Sequence, residues 1–393
     1  MDSPRTLARL NTIFAGIGYV VVCGIVVGGL LELGARTALH FYHHLRQHPI
    51  TEAAFDTPAY SEYDWAKDCL DEQSLRLTAK NIYFPFRLWG VTEFHGRCMN
   101  NDVTDIGTVR RTLNPSQAAC PNGFRTNIWI FGGSAVYGTS VPDWATLPSY
   151  LSSTLNTSMD CVRVVNLGVE GYVSNQELIL LLELLKTGKR PNIVIFYDGF
   201  NDADIGTLSI GRPAPHMGFM TTKGRMEGSL ASRLDFVHKL AIWQLVSELS
   251  KSTRSGPTRV SQDALDFTAT RILDSYQENI QIARMLGNAY GFKVCAFWQP
   301  AILYGHKPLV PYEREFSNLS ANKAYLFEEL VPVYQQASQR AIKSADFVFL
   351  GDIFDTVSPP VYLDWVHLNP LGNQLAALAV AKQLHKCLNL NEE

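Results

Sequence analysis

The chain has 393 residues, 46% of them hydrophobic and 18% charged, with a net charge of −3. This describes an ordinary globular protein of one large or two modest domains, and no basic surplus points to nucleic acid. A mean hydropathy of −0.02 restricts any membrane portion to a small part of the chain.

One such portion is predicted. Ile13 to Leu31 is uninterrupted by charge, and ~20 apolar residues are what a bilayer core requires. Arg5 and Arg9 precede the run, which favours a cytoplasmic N-terminus, although Arg36 and Arg46 weaken the asymmetry. An uncleaved anchor over 1–40 is the preferred reading. A cleaved signal peptide, the competing one, would have a shorter apolar core and a clearer small-residue cleavage site. The remainder then lies outside the cytoplasm, in the periplasm or at the cell surface. There, six of the seven cysteines are free to pair, since Cys23 sits in the span. Cys98 with Cys120 is a candidate bridge, Cys295 reads as a small buried hydrophobe, and no C-x-x-C pair supports a metal site. No cofactor is expected.

Residues 41–124 divide into a juxtamembrane spacer and a small β-rich cap. The spacer carries His40, His43, His44 and His48, read as a solvated surface rather than a metal tract. The cap shows short β-like pieces at 81–84 and 87–94 and is punctuated by glycine and proline.

The domain proper is predicted over 125–393. A short β-branched and aromatic run, Ile128 to Phe131, is followed by Gly132, Gly133 and Ser134, then by a helix with Leu147, Leu151 and Leu155 on one face. A phosphate loop needs a lysine before Thr139 that is absent, and a dinucleotide fingerprint fails on glycine spacing. A tight turn with an incidental serine remains as an alternative to a nucleophile. Further strands are predicted at 163–166, 192–197, 293–298 and 347–350, with helices at 175–186, 263–290 and 321–343 between them. Such alternation specifies a doubly wound parallel sheet. An insertion at about 204–262, with a helix over 234–249, interrupts the rhythm and is read as a lid or a surface decoration. The segment 299–320 is expected to be a long loop.

The strand ends hold the chemistry. Ser134 follows the first strand, Gly171 the second and Asn201 the third, while Asp364 and His367 stand in the last loop. Serine needs a base at neutral pH, and an aspartate three residues before a histidine can hold its Nδ1 within one turn. Backbone N–H groups of Ser134 and Gly171 and the Asn201 amide are the candidate oxyanion donors. Asp352 and Asp355 are the alternative acids. His216, His238 and His306 have no acidic partner at a telling spacing. A histidine base implies an acid limb near pH 6.5.

Four blocks in order, Phe131-Gly132-Gly133-Ser134, Val165 to Gly171, Gly199-Phe200-Asn201-Asp202 and Asp364-Trp365-Val366-His367, resemble those of the SGNH (GDSL-like) hydrolases, a serine esterase superfamily. The family's usual aspartate before the serine is Gly133 here. The resemblance covers about 125–385. It implies a flavodoxin-like three-layer α/β sandwich with a five-stranded parallel sheet of order 2-1-3-4-5, here preceded by one transmembrane helix. It also implies a catalytic set of Ser134, Asp364 and His367, with an oxyanion hole of Ser134, Gly171 and Asn201 and with Gly168 as the fallback for Gly171. The expected activity is a membrane-tethered extracytoplasmic esterase acting on acyl or acetyl esters of a small molecule, lipid or glycan. An acyltransferase modifying an envelope glycan and a non-catalytic envelope binding or assembly factor are the alternatives.

Overall fold

The computed structural model describes residues 4–46, 60, 62–78, 82–207, 216–226, 261–318 and 324–389. The helix expected over 234–249, most of the insertion, His238 and most of the spacer lie outside the described residues. Residues 1–50 with 220–258 form one compact unit, and residues 51–219 with 259–393 form another.

In the first unit, helix α1 spans Pro4–Arg46. Its stretch Gly18–Leu39 is long and apolar enough to cross a membrane. Along it Tyr19, Val20, Ile25 and Leu30 are exposed, each by more than 60%. An apolar helix that covers so little of its own surface suits a bilayer or a cleaved signal better than a soluble core.

The second unit begins with α2 (Ala66–Thr78) and a hairpin of β1 (Ile82–Phe84) and β2 (Leu88–Gly90). Strands β3 (Phe94–His95), β4 (Asn100–Thr104) and β5 (Gly107–Arg110) follow as an antiparallel meander. Then come β6 (Thr126–Gly132), α3 (Ser134–Tyr137), α4 (Leu147–Leu155), β7 (Val162–Asn166), α5 (Ser174–Lys186), β8 (Ile193–Asp198) and α6 (Phe200–Thr207). After the insertion, α7 (Gln262–Tyr290), β9 (Lys293–Trp298), α8 (Pro311–Asn318), α9 (Ala324–Lys343), β10 (Val348–Phe349) and α10 (Pro370–Asn389) complete the fold.

Among the described residues the main sheet has eight strands, where five were expected, in the order β10-β9-β8-β6-β7-β5-β4-β3. Strands β10, β9, β8, β6 and β7 are mutually parallel. Beyond them β5 pairs antiparallel with β7 through Arg110 and Asn166. Thus β3–β5 of the expected cap are part of the main sheet, where they cover the edge that β7 would otherwise expose. Among the described residues only the β1–β2 hairpin stands apart from that sheet.

Alternation along each strand explains the layers. Trp129, Phe131, Val194, Phe196, Val294 and Trp298 point to a core shared with α5, α7 and α9. Ile128, Ile130, Ile193, Ile195, Cys295 and Phe297 point to the opposite core, against α4 and α10. With both faces buried the strands read as near-continuous apolar runs, as parallel strands do. Local signals set the helix ends. Thr146 caps α4 by accepting from the Ser149 N–H at 3.3 Å. Ser261 caps α7, and Gly291 ends that helix at φ 82°.

All six cysteines beyond α1 are paired, as Cys69–Cys98, Cys120–Cys161 and Cys295–Cys387, with Cα separations of 5.2, 5.5 and 5.9 Å. This corrects the expected Cys98–Cys120 bridge and the reading of Cys295 as an unpaired hydrophobe. Cys295 is fully buried as such a residue would be, but packing brings α10 and its Cys387 against β9. The helix at 311–318 likewise corrects the expectation of an unbroken loop over 299–320.

Candidate active site

Strand β6 delivers Ser134 to the carboxyl edge of the parallel strands, where open α/β sheets carry their chemistry. The side chain heads the one-turn helix α3. Asn166, at the end of β7, holds that helix by donating from Nδ2 to the Val136 carbonyl at 2.8 Å. Gly133 is needed for a local reason. A Cβ there would stand 2.3 Å from Asn201 Nδ2 and 3.3 Å from the Tyr172 carbonyl. Gly133 therefore goes with an asparagine amide packed directly against the backbone before the serine.

His367 lies between the other two predicted residues. Its Nδ1 is 2.6 Å from Asp364 Oδ2, and its Nε2 is 2.7 Å from Ser134 Oγ. The spacing of three works because the chain turns back on itself. Asp364 Oδ1 accepts the backbone N–H groups of Val366 at 2.9 Å and His367 at 2.8 Å, while the Leu363 N–H donates to the His367 carbonyl. That is an aspartate-closed turn. A proton on Nδ1, facing the carboxylate, leaves Nε2 as an acceptor for the serine O–H.

The electrostatics favour an ionised aspartate and a basic imidazole. Burial pushes the Asp364 carboxyl up, but the charge of His367 and its hydrogen bonds outweigh this and hold it below the usual carboxylate range. Burial pushes His367 down, yet the Asp364 carboxylate, and more weakly Glu170, raise it above its ordinary 6.5. An acid limb set by this histidine is therefore expected above pH 6.5 rather than near it.

The donor positions are distinct. Asn201, on the first turn of α6, donates one Nδ2 hydrogen to the Tyr172 carbonyl at 2.8 Å and keeps a second. Its helix is tied to the neighbouring loop by Asp202, which accepts from the Ser174 backbone N–H and from Ser174 Oγ at 2.6 Å. Burial pushes the Asp202 carboxyl up to about 6. Gly168 is not a free donor, because its N–H is engaged by Asn166 Oδ1 at 2.9 Å. The Gly171 N–H has no partner among the described residues. Asp355 accepts from the His306 N–H at 2.6 Å, and neither it nor Asp352 contacts the imidazole. His216 and His306 make no contact with Ser134.

One residue escapes the sequence reading. Glu313, fully buried on α8, accepts the backbone N–H groups of Val361 at 2.9 Å and Tyr362 at 3.1 Å, and pairs with buried Lys307 at 2.6 Å. Tyr312 from the same helix donates to the Leu363 carbonyl. Together they anchor the chain immediately before Asp364. Pro311 with Glu313 in the first turn is a helix-start signal that could have revealed α8, but the spacing says nothing of what Glu313 grips. Glu313→Ala should lower kcat by about 10² through displacement of the Asp364–His367 turn. Glu313→Gln, which keeps an acceptor oxygen, should lose less. Steady-state kinetics on both folded variants checks this, and equal losses would show that the acceptor does not matter.

No protein-family model matches the chain, and no curated protein matches it. Solved structures do. A member of the lipolytic G-D-S-L family from Veillonella parvula is similar at 14% identity and a TM-score of 0.35, over 65% of this chain and 96% of that one. An α/β hydrolase enzyme from the metagenome of Lake Arreo matches at 12% and 0.32, over 67% and 97%. An acetylxylan esterase from Geobacillus stearothermophilus matches at 14% and 0.33, over 67% and 95%.

Proposed function

We propose that this chain is a serine ester hydrolase of the SGNH type, held at a membrane by α1 with residues beyond it outside the cytoplasm. The observation that carries the activity is the bridging imidazole, 2.7 Å from Ser134 Oγ on one side and 2.6 Å from Asp364 on the other. His367 takes the Ser134 proton as Oγ forms a bond to the ester carbonyl carbon. The C–O bond to the alcohol then breaks, and His367 returns the proton to that alcohol. Water, activated by the same imidazole, releases the acid from the acyl-enzyme. The Ser134 and Gly171 N–H groups and the Asn201 amide receive the oxyanion. The placing of β6 between β7 and β8 supports reading the parallel strands as a flavodoxin-like sheet of order 2-1-3-4-5.

Location is inferred from two features. An apolar helix stands near the N-terminus, and every cysteine beyond it is paired, as suits an oxidising compartment. The test of function is hydrolysis of p-nitrophenyl esters by the purified protein together with an Asn201→Ala variant. The variant should lose about 10²–10³ in kcat with KM little changed. A large KM effect with unaltered kcat would make Asn201 a substrate-binding residue instead.

A further inference from the structure

A cavity of about 450 Å³ opens beside Gly171, within the range of small-molecule pockets. Its walls come from segments far apart in sequence. Trp89 and Val91 come from and just after the β1–β2 hairpin, Val169 from the loop after β7, and Met217 from the start of the insertion. Three features relate it to the proposed catalytic centre. Gly171, at φ 75°, presents its bare Cα to the cavity, since a Cβ there would lie 3.1 Å from Met217 Cε and 3.6 Å from Trp89 Cζ2. The adjoining Tyr172 carbonyl lies beside Gly133 and binds Asn201. Glu170, on the cavity wall, is close enough to His367 to act on its charge.

The chemistry of the walls selects the occupant. The charged groups present neutralise each other, because Arg76 pairs with Glu170 and lies over the Tyr137 ring at 4.7 Å from its centroid. Glu170 is further engaged by Thr139 Oγ1 at 2.8 Å, and its carbonyl takes the Trp89 Nε1–H at 2.9 Å. What faces the space is therefore largely indole, aliphatic and thioether surface. A sugar would leave its hydroxyls short of partners there, whereas an alkyl chain loses nothing. An acetyl group would leave most of the volume empty.

We infer that this cavity receives the acyl chain of the ester, and that the chain acts on acyl esters longer than acetate. The inference rests on the esterase reading and goes beyond it in naming the acyl group. The experiment is kcat/KM for p-nitrophenyl acetate, butyrate, hexanoate and octanoate. It uses the full chain in detergent, both wild type and the Met217→Trp and Val91→Trp variants, with a fluorophosphonate as active-site label. Burying a methylene contributes ~0.8 kcal/mol, so wild type should gain about fourfold per methylene between acetate and hexanoate. In each variant the ratio of hexanoate to acetate should fall by at least about tenfold. That ratio is independent of how much of a sample is folded, and Met217 is 54% exposed, so a larger side chain there does not disturb the core. Acetate hydrolysis with no gain along the wild-type series, or wild-type ratios in both variants, would overturn the acyl cavity and leave the esterase reading intact. No hydrolysis of any ester and no labelling would overturn the esterase reading itself.

Discussion

Ser134→Ala is expected to abolish ester hydrolysis, with kcat reduced by on the order of 10⁴–10⁶, and to abolish fluorophosphonate labelling. The size follows from chemistry that no neighbour can replace. In the proposed reaction the hydroxyl forms the acyl-enzyme, and the only hydrogen bond its oxygen makes among the described residues is to His367 Nε2. For the same reason the fold should be indifferent to the change. The backbone turn is held by Asn166 and by Gly133, neither of which uses the Ser134 side chain. Thermal unfolding of the variant should match wild type. Hydrolysis at the wild-type rate by a normally folded Ser134→Ala protein would remove serine from the mechanism.

The second large effect concerns the imidazole and its carboxylate. His367→Ala should be nearly inactive, while Asp364→Ala should retain some activity, since the aspartate orients the ring and stabilises its charged form without exchanging a proton with substrate. The pH dependence carries a sign. Only neutral His367 accepts the Ser134 proton, so kcat/KM should rise with pH through the histidine pKa and level off above it. Burial alone would move that limb below 6.5, but the Asp364 and Glu170 carboxylates reverse the direction and place it higher. Asp364→Asn removes the larger of the two raising charges, and it should shift the limb downward as well as lower the plateau. A downward shift smaller than this, with the plateau intact, is expected of Glu170→Gln. A pH–rate profile of wild type and these variants measures both quantities. An acid limb unmoved in Asp364→Asn would mean that the carboxylate does not act on this histidine.

Much of this protein is legible before folding because it is local. The continuous apolar runs of β6, β8 and β9, buried on both faces, and the helical spacing of leucines behind Ser134 follow from each segment meeting its neighbours on one or two faces. Asp364 and His367 stand three apart, and a single turn closed by the aspartate's own carboxylate joins them, so their contact is encoded within four residues. Gly199-Phe200-Asn201-Asp202 is local in the same way: a glycine at φ 130° starts the turn that puts Asn201 on the first turn of α6.

Other features needed the tertiary structure. The partner of Cys295 is 92 residues away, on a helix whose position depends on the whole second core, so composition left the cysteine indistinguishable from a buried hydrophobe. Strands β3–β5 carry ordinary cap-like patterning, and only the free edge of β7 drew them into the main sheet. From sequence, Gly168 is the fallback donor and Gly171 the preferred one. The fold engages the first N–H through Asn166 and leaves the second without a partner among the described residues. Glu313 grips the segment before Asp364 from 48 residues before Val361, and the cavity beside Gly171 joins Trp89 to Met217 across the unit. In each case the deciding quantity is a distance between segments remote in sequence. Periodicity and propensity record which face of a segment is buried, and they carry no information about which distant segment buries it.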